Sequence, residues 1–416
     1  MNIGVFVSAV APDSVGQSSF QGAVFEGLAR LSVEDHKFFV LCGKIPPDWR
    51  PKGPFVCVEL VQESALTGRL VRLKVAVANL LLKAGQIWGV SGGRSLLKLQ
   101  RWANPEPAYF RQLRELDIRL VWNMNQHAIV SPLPYIRTIW DVNHRIHSMY
   151  PEFSYSRYGF DGCDSNMENS LARASYVITG TEEGKQQVAQ IYGVVPRKIR
   201  VIPLPTPVLR RPGSSRQSAK LSLLSPYIFY PARFWPHKNH VVIIEALKLL
   251  REKWNFRLNC IFSGPDEGNL QYVLRRAEQA GVREQIMYVG KVAEEDLPHL
   301  YANAIALVYA SAVGPDNLPP LEAMSLGCPV ITANVPGASE QYDQAALFFD
   351  PTNEEQLSER IMELLNDPSL RANLIERGYI RASAFTVKDY AKKVVAIIDE
   401  FALTARAWEK SDSSFT

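Results

Sequence analysis

Gly314-Pro-Asp-Asn-Leu-Pro-Pro-Leu-Glu-Ala-Met-Ser-Leu-Gly327 decides how this chain folds. The run ahead of it, Ala304-Ile-Ala-Leu-Val-Tyr-Ala310, is apolar without a break, as a strand buried on both faces of a parallel sheet must be. Pro319 and Pro320 then open a helix over residues 319–326, because proline in a first turn forfeits no needed hydrogen bond. Asn317 or Asp316 stands where a cap belongs. The N–H groups left free at such a helix start face the carboxyl edge of the sheet and suit phosphate oxygens. Glu322, about one turn in, is placed to accept hydrogen bonds from ribose hydroxyls. An acid there also fits ordinary stabilisation by the helix dipole; its spacing and company favour the first role.

The same strand–loop–helix form recurs upstream. Pro231-Ala-Arg-Phe-Trp-Pro-His-Lys-Asn239 lies between an expected strand at residues 228–230 and a helix at 240–252. Arg233 and Lys238 bring a planar fork and a point charge to the sheet edge where ligands bind, a combination suited to a diphosphate. Taken as two residues alone, they fit a solvated loop equally well.

Working outward, strands are expected at residues 256–262, 286–289, 304–310, 329–332 and 347–349, with helices at 270–280, 297–301 and 319–326. Helical stretches at 354–366, 369–384 and 387–406 close the chain. An earlier series has strands at 3–7, 38–41, 55–60, 120–124, 135–140 and 176–179, a loop at 12–19 carrying Gly16, and a helix at 20–31. Such alternation means α/β architecture, with parallel sheets covered by helices. Pro203, Pro205, Pro207 and Pro212, followed by a polar run, mark a linker. The expected division is a Rossmann-like domain over 1–205, a linker over 206–225, a second domain over 226–385 and a last helix over 386–408. The tail at 410–416 is expected to be disordered.

Bulk properties narrow the function. At 416 residues the chain exceeds one ordinary core. Its net charge of +4 is too slight for a nucleic-acid partner. Five scattered cysteines, with no CxxC pair or Cys/His cluster, give neither a zinc site nor a disulfide framework and suit a reducing cytoplasm. The N-terminus lacks the charged and long apolar regions of a signal peptide, and no window holds about 18 uninterrupted apolar residues. Work at a membrane would be done from its surface. Residues 64–105 carry Arg69, Arg72, Lys74, Lys83, Arg94, Lys98 and Arg101, interleaved with Leu and Val and without an acid. That pattern fits an anionic lipid surface, and fits a solvated helix face as well.

In the first half, Ile139-Trp-Asp-Val-Asn-His-Arg-Ile-His147 follows a strand and offers Asp141, His144 and His147, with His127 a weaker candidate. An imidazole there suits a sugar hydroxyl or the orientation of an acceptor, though a loop histidine is more often a packing residue. Gly16 lets a backbone approach a phosphate, or simply serves its turn. No GxGxxG occurs in that loop, which speaks against a nicotinamide or flavin enzyme.

Together, Arg233-x4-Lys238, the Ser263-Gly-Pro265 turn, Tyr288-Val-Gly290 and the Leu318-Pro-Pro-Leu-Glu-Ala-Met stretch with its Gly-x-Pro-Val-Ile continuation resemble the family 4 retaining glycosyltransferases of the GT-B fold. The resemblance spans roughly residues 1–406 and is strongest over 227–349. It implies two Rossmann-like doubly wound domains facing a cleft, with the last helix crossing back to the N-terminal domain. It implies that Arg233 and Lys238 neutralise the departing diphosphate, with Asp141 and His144 as further catalytic candidates. Gly16, Gly264, Asp316, Asn317 and Leu318 would line the donor site, and Glu322 would hold the ribose.

Two positions depart from the pattern: the first glutamate of Glu-x7-Glu falls on Gly314, and Trp140 stands where the family's histidine precedes the aspartate. The donor is then a nucleotide diphosphate sugar, with GDP-mannose favoured by the loop form. The acceptor is a saccharide or lipid-linked hydroxyl, the site cytoplasmic or peripheral at the inner membrane face. No metal or cofactor is expected, since no Asp-x-Asp triplet occurs. Two alternatives are a sugar-nucleotide epimerase or hydrolase of the same fold and a non-catalytic nucleotide-sugar-binding protein.

Overall fold

The computed structural model describes residues 1–7, 15–31, 33, 35–44, 51, 53–61, 77, 108–126, 128–129, 131–154, 159–207, 209, 226–293, 295–314 and 316–407. The basic stretch at 64–105, apart from Val77, lies outside them, as do His127, the tail and most of the expected linker.

Two parallel sheets carry the chain. The first holds β1 (Asn2–Phe6), β2 (Lys37–Cys42), β3 (Val56–Glu59), β4 (Ile118–Asn123), β5 (Tyr135–Thr138), β6 (Tyr176–Thr179) and β7 (Ile199–Val201). Its spatial order is β3-β2-β1-β4-β5-β6-β7. The second holds β8 (Tyr227–Pro231), β9 (Asn259–Ser263), β10 (Ile286–Tyr288), β11 (Leu307–Tyr309), β12 (Val330–Ala333) and β13 (Leu347–Phe349), in the order β10-β9-β8-β11-β12-β13. In both, the order reverses beside the first strand, so the switch points lie between β1 and β4 and between β8 and β11. In a doubly wound sheet that crevice at the carboxyl ends is where ligands bind.

The apolar runs explain the strands. Ile228, Phe229 and Tyr230 are fully buried, as are Leu307 and Val308 beside them, and they anchor the larger core. Strands sandwiched between helix layers need such continuous runs. β11 is only three residues long within the apolar run expected over 304–310, but Ala304, Ala306 and Ala310 continue its burial on both sides.

Four expectations change. The first helix begins at Val15, not Phe20, so Gly16 sits in its first turn and not in a loop. β7, three residues ahead of the proline-rich segment, adds an edge strand too short to read from periodicity. The helix after β11 runs Pro319–Ser325 and has Leu318 at its N-cap with no side-chain cap. Neither Asp316 nor Asn317 caps it, because Asn317 is held elsewhere. Pro319 and Pro320 also leave only Leu321 of its first three residues with an N–H to give, so the phosphate-binding helix start is poorer than expected.

The final helix, Val387–Ala405, is started by a capping box between Thr386 and Asp389. Its buried face of Tyr390, Val394, Ile397, Ile398 and Phe401 joins Phe20, Val24 and Phe25 in the core of the first sheet. Each such side chain contributes roughly 1.5–3 kcal/mol. A helix that follows the second sheet in sequence thus belongs to the first sheet in space. Among the described residues no helix is long and apolar enough to cross a membrane.

Candidate active site

Strand β8 ends at Pro231, and the chain turns at once into the segment bearing Arg233 and Lys238. Gly264, at the end of β9, makes that turn possible. Its φ is +136°, and a Cβ there would overlap the Ala232 carbonyl. Only glycine lets the two backbones approach so closely. The Phe234 amide donates to the Pro265 carbonyl at 3.1 Å, pinning the loop to the same turn. Gly264 therefore shapes the Arg233 loop from beneath. Arg233 itself forms an ion pair with Glu267.

Lys238 closes the short turn Pro236–Lys238. Its ammonium donates to the Tyr309 hydroxyl at 3.2 Å and the Ser311 hydroxyl at 3.4 Å, both at the end of β11. Tyr309 donates in turn to Asn317 Oδ1 at 2.7 Å. The backbone of Asn317 is clamped by Gln341, which accepts from its amide at 3.1 Å and donates to its carbonyl at 3.0 Å. The Tyr342 hydroxyl adds a third bond to that carbonyl at 2.9 Å. Lys238 and Asn317, distant in sequence, thus become two ends of one network across the β8–β11 switch point. Glu322 accepts from the buried Tyr301 hydroxyl at 2.7 Å, which fixes its carboxylate one turn into the helix.

Opposite these groups stands the loop after β5. The buried Arg137 guanidinium donates to the carbonyls of Asn125, Gln126 and Thr138. Gln126 then holds the next loop, donating to Asp141 O at 2.7 Å and accepting from the Trp140 amide at 3.0 Å. Burial raises the Asp141 carboxyl above its ordinary range, while the Asn143 amide and the charges of His144, Lys238 and His147 pull it down. Lys238, from the other domain, is thus among the charges that reach Asp141.

The Trp140 indole N–H is buried without a partner among the described residues. His144 is turned into its own domain. Its Nε2 meets the Tyr192 hydroxyl at 2.9 Å and Asp164 at 3.4 Å, and burial lowers its pKa. His147 is half-buried and stays near Asp141.

Asp316 occupies the seam between the domains. A Cβ at Gly180 would overlap its carboxylate, and both its oxygens are buried without a full hydrogen-bond partner. Burial first, then Asp141 and Glu340, push its carboxyl up to about 8, and the nearby Gly180 amide offsets this only in part. A cavity of about 340 Å³ opens there, lined by Gly180, Thr181, Asp316, Glu340, Gln341 and Arg381 among others. Arg233, Lys238 and Glu322 do not line it. The cavity is therefore distinct from the charged groups at the edge of the second sheet. At Gly314 a Cβ would lie 2.6 Å from the Pro336 carbonyl, so a longer side chain has no room.

Sequence reasoning missed Arg137, Gln126, Tyr301, Tyr309, Gln341, Glu152 and His237. His237 and Tyr309 lie within the quoted stretches but read there as loop and strand filler, and each of the seven acts through a partner that only the fold brings near.

The family model described as glycosyl transferases group 1 matches residues 214–381. O-antigen chain mannosyltransferase B of Escherichia coli is 37% identical over 161 residues, 38% of this chain and 42% of that protein. O-antigen chain mannosyltransferase RfbU of Salmonella typhimurium is 26% identical over 212 residues, 50% of this chain and 56% of that protein. The chain thus spans about half the length of these relatives. Among solved structures, Anabaena HepE in complex with UDP and glucose superposes with a TM-score of 0.67 at 14% identity, covering 96% of this chain and all of that one. WaaG, a glycosyltransferase involved in lipopolysaccharide biosynthesis, does so at 0.63 and 17% identity, covering 95% of this chain and 99% of that one. Over residues 214–381 the chain matches the glycosyl transferases group 1 model, and its fold as a whole is GT-B.

Proposed function

We propose that this protein transfers a hexose from a nucleotide diphosphate sugar to a hydroxyl of a saccharide or lipid-linked acceptor. One observation carries the reading: Lys238 and Asn317 are joined through Tyr309 at the switch point of the second sheet, with Lys238 among the charges that lower the Asp141 carboxyl of the first. When the bond between the anomeric carbon and the phosphate oxygen breaks, the electron pair stays on the diphosphate. Arg233 and Lys238 meet that growing charge, and preorganised charges in a closed site are worth more than the same charges in water. Glu322, fixed by Tyr301, accepts from the ribose hydroxyls. Asp316, protonated at neutral pH by virtue of its burial, both donates to and accepts from the sugar in the cavity at the seam. This supplies a polar contact that Gly314 does not.

GDP-mannose is the favoured donor, supported by the mannosyltransferases that part of the chain resembles. Retention follows the resemblance to the retaining family, and the chemistry calls on no metal. The basic stretch at 64–105 favours a peripheral seat on an anionic membrane surface, where a lipid-linked acceptor would be met.

Incubation with GDP-mannose, UDP-glucose or UDP-galactose and an acceptor panel tests the reading. The expected result is acceptor-dependent release of GDP and an α-mannoside. Consumption of donor without an acceptor points instead to an epimerase or hydrolase. Saturable binding without turnover on any acceptor points to a binding protein.

A further inference from the structure

His237, the residue before Lys238, is buried in a contact that crosses the cleft. Glu152, in the short helix Pro151–Ser154 of the first domain, accepts from the His237 amide at 2.9 Å through Oε1. The same oxygen meets His237 Nδ1. The imidazole stacks on Phe153 with centroids 5.0 Å apart and meets the edge of Tyr150 at 6.1 Å. From its own domain, the Ala312 amide donates to the His237 carbonyl at 2.8 Å, and the Tyr230 hydroxyl donates to the Lys238 carbonyl at 2.6 Å. The backbone carrying Lys238 is therefore fixed from two directions, and the Glu152 side exists only while the domains are together. A buried carboxylate whose Oε2 has no partner among the described residues is costly, which makes the contact poor as mere stabilisation.

We propose that Glu152 is a positioning residue for Lys238, acting through His237, so that the loop backbone bearing this cation, whose ammonium is already held by Tyr309 and Ser311, is fixed from the opposite wall when the two domains close. This rests on the transferase reading above. Glu152 does not touch donor or acceptor. Its effect is to fix the posture of the loop from the opposite wall, and a catalytic group misplaced by about 1 Å costs roughly 100-fold in rate.

The titration of His237 by NMR separates closure from local loss of a partner. Burial lowers its pKa to about 4, opposed by Glu152 and reinforced by Lys238 and His147; the rings packed on it, Phe153 and Tyr150, are uncharged at neutral pH. If Glu152→Ala leaves the cleft closed, losing the acceptor lowers that pKa further. If the contact holds the domains together, the imidazole is hydrated and its pKa rises towards 6.5. The proposal expects the rise, together with a fall in kcat of about 10- to 100-fold. Nucleoside diphosphate affinity stays within about threefold, since binding alone does not need the closed posture. Glu152→Gln keeps an acceptor for both N–H groups and restores most of the rate.

Glu400→Ala is the control. It removes a carboxylate that pairs with Arg200 at 2.9 Å and touches neither His237 nor the cavity at the seam. Its kcat falls less than that of Glu152→Ala. Should Glu152→Ala not fold, Glu152→Asp shortens the reach while keeping the charge. A further drop in the His237 pKa, or an unchanged kcat, overturns the proposal. A wild type that binds no nucleoside diphosphate overturns the transferase reading instead, and the titration still decides the clasp.

Discussion

The two sheets share a strand order, yet their ligand edges are built in different ways. The second sheet spends its tyrosines and Gln341 on side chains that carry the chemistry: Tyr309 serves Lys238 and Asn317, and Tyr301 serves Glu322. The first sheet spends its polar groups on its own loops. Arg137 ties down Asn125 and Gln126, Gln126 ties down Trp140 and Asp141, and His144 is taken up by Tyr192 and Asp164. One edge therefore holds its candidate anion-binding side chains in place, and the other holds its own loop around Asp141. A fold with two similar halves can thus divide binding and reception between them, because each half puts rigidity in a different place.

That contrast can be broken most sharply at Lys238. Lys238→Ala is expected to lower kcat by about 100-fold or more, as loss of a charge-stabilising donor does, measured as GDP release in the presence of acceptor. An effect under about threefold breaks that account of the second edge. Gly264→Ala forces a Cβ onto the Ala232 carbonyl at a backbone angle reserved for glycine. It should cost about 1–3 kcal/mol of unfolding free energy, read by chemical denaturation.

Glu322→Ala removes one ribose acceptor and leaves the Tyr301 hydroxyl buried, so nucleotide affinity should weaken about tenfold by calorimetry. Asp316→Asn sharpens the seam. A carboxyl raised to about 8 in the fold stabilises while protonated, fully below pH 4 and progressively less as pH climbs through 8. The asparagine variant should lose that decline and melt about 2–4 °C higher than wild type at pH 8.5, the equivalent of about 1 kcal/mol. A parallel decline in both proteins would show that another group is responsible. The smallest effect belongs to the first sheet: His144→Phe should change transfer less than about threefold, because its ring serves Tyr192 and Asp164 within its own domain.

Much of the second half was legible because its strands are continuous apolar runs punctuated by glycine and proline. Arg233, Lys238 and Glu322 could be singled out as candidates because each sits at a set distance from a strand end. The first helix was misplaced because Gly16-Gln-Ser-Ser19 reads as a turn, while the fold uses those residues to start Val15–Ala29. The cap was misassigned because Asn317 has better partners in Tyr309, Gln341 and Tyr342 than the helix it precedes. Glu152 and His237 lie 85 positions apart, so neither helix nor strand periodicity could join them. The expected boundary at 206–225 falls almost wholly outside the described residues. Motifs reveal groups that touch a ligand; they are silent about groups that hold those in place.

Calorimetric titration of the intact protein with GDP, UDP and ADP, repeated on Lys238→Ala and Glu322→Ala, tests the central claim most directly. The account predicts saturable binding strongest for GDP, weakened about tenfold by either substitution. Equal affinity for GDP in all three proteins, or no binding of any nucleoside diphosphate by the wild type, would contradict it.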